Sequence, residues 1–258
     1  MSKLFDAHIH LDQYSDIKIE EIIDGFHPLT GLISVSTNLE SSKRNLMLAQ
    51  KYKKVHAAFG YHPEQPPPTA EVLEQLITWM TQNKESMVAI GEVGLPYYLR
   101  KESPSNFSLQ PYIDTLDKFI QLAKEWEKPI VLHAVNEDAP TVCDLLEKHS
   151  VKKAHFHWFK GDNQTLKRMK HNGYSISVTP DVCYEKEIQD IVHEYPLELL
   201  MVETDGPWPF EGPFQKEMTH PRMIEESIQV ISDIKKMPIE LVYDQLLKNT
   251  LSFYSIQS

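Results

Sequence analysis

Eight short runs of apolar, largely β-branched residues alternate along this chain with stretches of helical period, and few folds accept that order. The runs lie at residues 4–8, 32–36, 55–60, 88–91, 130–133, 154–157, 174–178 and 199–203. Amphipathic stretches fall between them at 40–53, 70–83, 111–127, 139–149, 163–171 and 185–195, and two more follow near 222–236 and 239–254. Pro238 is expected at the first position of the last of these, where its missing N–H costs nothing. Short continuous apolar runs suit strands covered on both faces, and strand–helix alternation specifies a parallel sheet. Eight such units within 258 residues predict a (β/α)8 TIM barrel, with 1–258 as a single domain. A doubly wound open sheet is the competitor. It gathers its chemistry at one switch point, often with a glycine-rich phosphate turn, and no such turn occurs among the nine glycines.

The run ends carry the chemistry. Asp6-Ala7-His8-Ile9-His10 closes the first, Gly91-Glu92-Val93-Gly94 the fourth and Glu203-Thr204-Asp205 the eighth; His62 stands just past the third, and His133 and His157 end the fifth and sixth. Residues two apart in a strand share a face, so His8 and His10 point the same way. The C-terminal ends of all barrel strands open on one mouth. Imidazoles and carboxylates converging there predict a divalent-metal site with ligands His8, His10, Glu92, His133, His157 and Asp205. Glu92, in an apolar strand end, needs a cationic partner and is the candidate bridge between two cations. Zinc, manganese, magnesium or iron are the candidates, with imidazole favouring the transition metals over magnesium. Asp205 is placed to accept a proton from metal-activated water, with Glu203 two residues deeper to share it and His62 suited to a substrate oxygen. His155 shares the face of His157 but reads as an inner-layer residue.

Two stretches are longer than a barrel connection requires. Residues 96–110 hold Tyr97, Tyr98, Arg100 and Lys101, and residues 206–221 hold Pro207, Trp208, Pro209 and Phe210. Proline stiffens such loops while aromatics such as Trp208 offer flat contact area, so both are candidate walls of a substrate cleft.

These motifs together resemble the TatD family of metal-dependent hydrolases over nearly the whole chain, from Phe5 to about Tyr254. The signatures are Asp6-Ala7-His8-Ile9-His10-Leu11, Gly60-Tyr61-His62-Pro63, Gly91-Glu92-Val93-Gly94-Leu95, His133, His157-Trp158-Phe159-Lys160-Gly161 and Glu203-Thr204-Asp205-Gly206-Pro207. The resemblance implies a (β/α)8 barrel, the six metal ligands named above, and hydrolysis of DNA phosphodiesters from a strand end, in the manner of a 3′–5′ exodeoxyribonuclease. Three positions depart from the family pattern. Pro96 stands where Asp is usual, Val135 where Arg is usual, and Lys160 where Ser is usual. Losing an arginine removes a bidentate phosphate partner; Lys160 and Arg100 are the candidate replacements.

Composition narrows the alternatives. A net charge of −11 argues against broad adhesion to nucleic acid, leaving local contact to a DNA or other phosphodiester end. A second reading keeps the metal and changes the bond to a small-molecule amide, ester or lactone. A third is a metal-binding protein without turnover. No apolar stretch has the length of a signal peptide or a membrane span. The two cysteines, Cys143 and Cys183, lack metal-ligand spacing. A cytoplasmic protein with no membrane or protein partner is therefore expected.

Overall fold

The computed structural model describes residues 3–102 and 107–257. Eight parallel strands pair in chain order: β1 (Leu4–Ile9), β2 (Leu29–Ser34), β3 (Val55–Phe59), β4 (Met87–Gly94), β5 (Ile130–His133), β6 (Ala154–Phe156), β7 (Ser175–Val178) and β8 (Leu200–Val202). The barrel closes just beyond β8, where Asp205 N donates to His8 O at 2.9 Å and His10 N donates to Gly206 O at 2.8 Å. The predicted barrel is the fold.

The helices are α1 (Asp16–Gly25), α2 (Leu39–Lys51), α3 (Ala70–Gln82), α4 (Tyr97–Glu102), α5 (Gln110–Glu125), α6 (Asp138–Lys148), α7 (Asn163–Asn172), α8 (Lys186–Glu194), α9 (Ile224–Lys235) and α10 (Ile239–Tyr254). Several start on side-chain caps that satisfy free N–H groups: Asn38 at α2, Thr69 at α3 and Asp162 at α7. Helix α7 ends on Gly173 at φ 73°, a left-handed cap that glycine adopts without strain. Pro238 sits one residue earlier than expected, preceding α10. Helix α1 was not foreseen, although Ile19, Ile22 and Ile23 bury one face at helical spacing. The loop expected at 96–110 contains α4, and its residues 103–106 lie outside the described residues.

Two apolar layers hold the barrel. The larger lies between strands and helices. The smaller joins Phe5, Ala7, Ile33, Ala58, Ala89, Val131 and Met201 from six strands to Tyr254 of α10 and is the barrel interior. At the same depth His155 Nδ1 lies 2.7 Å from the Tyr254 hydroxyl and Nε2 lies 2.5 Å from Ser177 Oγ. Burial holds this histidine well below its ordinary pKa. His155 is thus an inner-layer residue, as read from the sequence.

The β1–β2 register slips between Asp6 and Ile9, three steps on β1 matching two on β2. Such a bulge re-aims side chains. It breaks the alternation that sends Phe5 and Ala7 inward and lets His8, then His10, project into the mouth.

Between α5 and α6, Asp117 Oδ1 accepts from Lys148 Nζ at 2.9 Å and from His149 Nε2 at 2.8 Å, and Oδ2 from Gln121 at 2.6 Å. Partial burial pushes this carboxyl up, but these donors outweigh it and hold it at about 2 against an ordinary 3.8. The folded state then binds fewer protons than the unfolded one below pH 4. The stabilisation is complete above about pH 4 and is lost as pH falls through about 2. Asp117→Asn is expected to flatten the fall in unfolding free energy between these values, measured by denaturant titration across pH.

Candidate metal centre

Five strands deliver the six residues of the centre. His8 lies in β1 and His10 just after it; Glu92 lies within β4 rather than past its end; His133 ends β5, His157 follows β6 and Asp205 follows β8. Asp205 adopts φ 49°, a left-handed conformation that aspartate tolerates better than most residues. Asp6 sets this turn from below, accepting from Thr204 N at 3.0 Å, Thr204 Oγ1 at 2.5 Å and His8 N at 3.2 Å.

Two clusters of ligand atoms share Glu92. In the first, His8 Nε2 lies 3.3 Å from Glu92 Oε2 and 3.2 Å from Asp205 Oδ1, while His10 Nε2 lies 3.2 and 3.5 Å from the same oxygens. Tetrahedral ligands about 2.0–2.1 Å from a zinc-sized cation stand about 3.4 Å apart, so these four atoms have the spacing such an ion imposes. His8 Nε2, Glu92 Oε2 and Asp205 Oδ1 are also buried without any hydrogen-bond partner among the described residues. In the second cluster Glu92 Oε1 lies 3.0 Å from His133 Nδ1 and 2.8 Å from His157 Nε2, and the two ring nitrogens are 3.2 Å apart. The donor set fits a divalent cation.

The electrostatics agree. Burial would raise the Glu92 carboxyl, yet the His157, His62 and His8 imidazoles around it hold it well below its usual range. Burial would raise Asp205 too, yet the His10 and His8 imidazoles beside it hold it low. Burial would lower His10, but Asp205 and Glu92 push it up to about 10. The carboxylates demand positive charge, which protonated imidazoles supply until a cation displaces their protons.

His62 enters this cluster more deeply than expected, its Nε2 3.2 Å from Glu92 Oε1. Its Nδ1 accepts from Glu64 N at 3.2 Å, so Nε2 carries the proton and acts as a donor rather than a ligand. Two expectations need correction. Glu203, expected to share the catalytic proton, is fully buried with Oε1 accepting from Trp158 N at 2.7 Å and Oε2 from Ser177 Oγ at 2.6 Å. It lies behind His157 and holds the turn after β6. Arg100, expected at substrate, turns away to Asp138 at 2.6 Å, because the first turn of α6 offers a buried carboxylate. Lys160 and Trp208 do line the cleft, an opening of about 790 Å³ over the metal ligands.

Glu64 was missed. Its Oε1 faces His133 Nε2 at 3.1 Å, and its two oxygens accept from Tyr98 N at 2.9 Å and Leu99 N at 2.7 Å. A proton on Nε2 held by this carboxylate leaves the Nδ1 lone pair free for a cation, the usual service of an outer carboxylate to a ligand histidine. The only sequence signal was an acid directly after His62-Pro63. Glu64→Ala is expected to weaken cation binding at the His133–His157 cluster about 10–100-fold while sparing the His8–His10 cluster. Zinc titration of the metal-stripped protein against a chelating dye measures both.

Comparison with known proteins bears on this geometry. The family model described as TatD related DNase matches residues 5–255. An uncharacterized metal-dependent hydrolase of Haemophilus influenzae is 40% identical over 98% of this chain and 100% of its own. Human deoxyribonuclease TATDN3 is 26% identical over 97% and 94% of the respective chains. The crystal structure of the TatD homologue YjjV of Escherichia coli superposes with a TM-score of 0.87 at 25% identity, covering 99% of each chain. A barrel mouth with cation-spaced ligands, a family model spanning the barrel and a full-length relative at 40% identity place this chain in the TatD family of metal-dependent hydrolases.

Proposed function

We propose that this protein is a phosphodiesterase that removes nucleotides from a DNA strand end, with Glu92 placed so that it would be shared by two divalent cations. The observation that carries this reading is the division of one carboxylate between two clusters: Oε2 toward His8, His10 and Asp205, and Oε1 toward His133 and His157. Bound cations at such a site supply a polarised phosphoryl oxygen and an acidified water. Asp205, at the cleft edge, accepts the proton of the attacking water. His62 donates its Nε2 proton to a nonbridging phosphoryl oxygen. Lys160, a quarter exposed in the cleft wall, meets a neighbouring phosphate. The name of the human relative supports deoxyribonuclease chemistry. Both cysteines are free thiols, which supports the cytoplasmic assignment. No described helix is long and apolar enough to cross a membrane.

Val135, Leu99, Pro207 and Pro209 in the cleft wall favour a second reading, hydrolysis of a small apolar ester, amide or lactone at the same cations. Single-stranded DNA incubated with protein loaded with zinc, manganese or magnesium is expected to shorten from one end. His133→Ala should reduce the rate at least a hundredfold, on the order of the loss when one catalytic charge stabiliser is removed. Intact DNA alongside turnover of small esters or lactones would move the assignment to the second reading.

A further inference from the structure

We infer that the cleft is built for the terminal dinucleotide of a strand, so that short oligonucleotides are hydrolysed as efficiently as long DNA. This rests on the phosphodiesterase reading and adds substrate size to it.

Cations are what long nucleic acid requires, and the arginines and the lysines beside the cleft are already engaged. All four arginines are paired: Arg44 with Asp16 at 2.8 Å, Arg100 with Asp138 at 2.6 Å, Arg168 with Asp144 at 2.6 Å, and Arg222 with Glu217 at 2.5 Å. Lys101, next to the cleft, pairs with Glu137 at 3.1 Å. Among the described residues lining the cleft, Lys160 is the sole lysine or arginine, and it is shared with Asp181 at 3.7 Å. Glu64 and Glu102 line the same opening. Val135 leaves its part of the wall apolar. A chain phosphate beyond the scissile one therefore meets one lysine, and a third meets carboxylate or apolar wall.

The remaining wall suits bases. Tyr98 and Trp208 line the cleft with 48% and 59% of their surfaces exposed, and Pro207 and Pro209 stiffen the segment that carries the tryptophan. Flat rings stack on nucleobases without regard to sequence. A volume of about 790 Å³ lies in the range of small-molecule sites rather than of extended grooves. Hydrolysis consumes one water and breaks one P–O bond, leaving a phosphomonoester and an alcohol; nothing in that balance needs a longer chain.

The test compares a thymidine dinucleotide with a long oligothymidylate, using metal-loaded protein at fixed free metal and varied salt. The expected result is equal kcat/KM per strand end, with log kcat/KM against log salt no more than about 0.7 steeper for the long strand, the contribution of one phosphate contact. Trp208→Ala should lower kcat/KM about tenfold on both substrates, with metal content and unfolding midpoint unchanged. Efficiency that climbs with length, with a slope steepened by several phosphate contacts, overturns the inference while leaving the phosphodiesterase reading standing. An unchanged rate in Trp208→Ala overturns the stacking wall. No cleavage of either substrate with any metal overturns the phosphodiesterase reading and the inference together.

Discussion

Glu92 is completely buried within β4, where an ionised carboxylate without compensation costs several kcal/mol. The mouth of the barrel is arranged around that cost. Four imidazoles, from His8, His10, His62 and His157, have nitrogens within 3.3 Å of its two oxygens, and His133 makes a fifth at 3.0 Å. Such a carboxylate is stable only beside positive charge, and protons on the imidazoles or divalent cations between them are the two ways to supply it. A polar centre of this kind is a poor way to stabilise a fold and an effective way to hold metal, which is why its burial points to chemistry.

Around the ligands stands a layer that fixes their direction. Asp6 holds the Thr204–Asp205 turn, Glu203 holds the turn that carries His157, and Glu64 holds His133. Each is a carboxylate contributed by a different strand or loop. Glu64 does more than orient a ring, because the same carboxylate accepts from the Tyr98 and Leu99 amides. The loop that walls the cleft and the histidine that holds the cation thus share one anchor. Arg100 shows the opposite outcome. Facing the cleft it would have served a phosphate, but the buried carboxylate of Asp138 gives it a nearer partner.

The barrel was legible in the sequence because its signal is periodic and repeated: eight runs placed eight strands, most within three residues of their observed ends. Helix α1 escaped although its three buried isoleucines are spaced for it and Ser15 stands at its N-cap. The ligand ring was legible because barrel topology makes strand ends neighbours whatever their separation in the chain. Glu203 and Glu64 were not. Both are acids two residues from a histidine or aspartate of the site, and the chemistry of a carboxylate says nothing about whether it faces the cleft or the packing behind it.

Residue order alone determined that this chain closes into a barrel with histidines and carboxylates at one mouth, because alternation of strand and helix fixes which ends converge. It also fixed the scarcity of arginine and the acidic balance. Only the tertiary structure decided how those few cations are spent. Whether Arg100, Lys101 or Lys160 reaches a phosphate depends on which carboxylates the loops after β5 and β7 bring within 4 Å, a matter of loop path and packing that no local pattern encodes. The same holds for Glu92. Its identity announced a cation, but the division of its two oxygens between two clusters exists only once β1, β4, β5 and β6 are packed together.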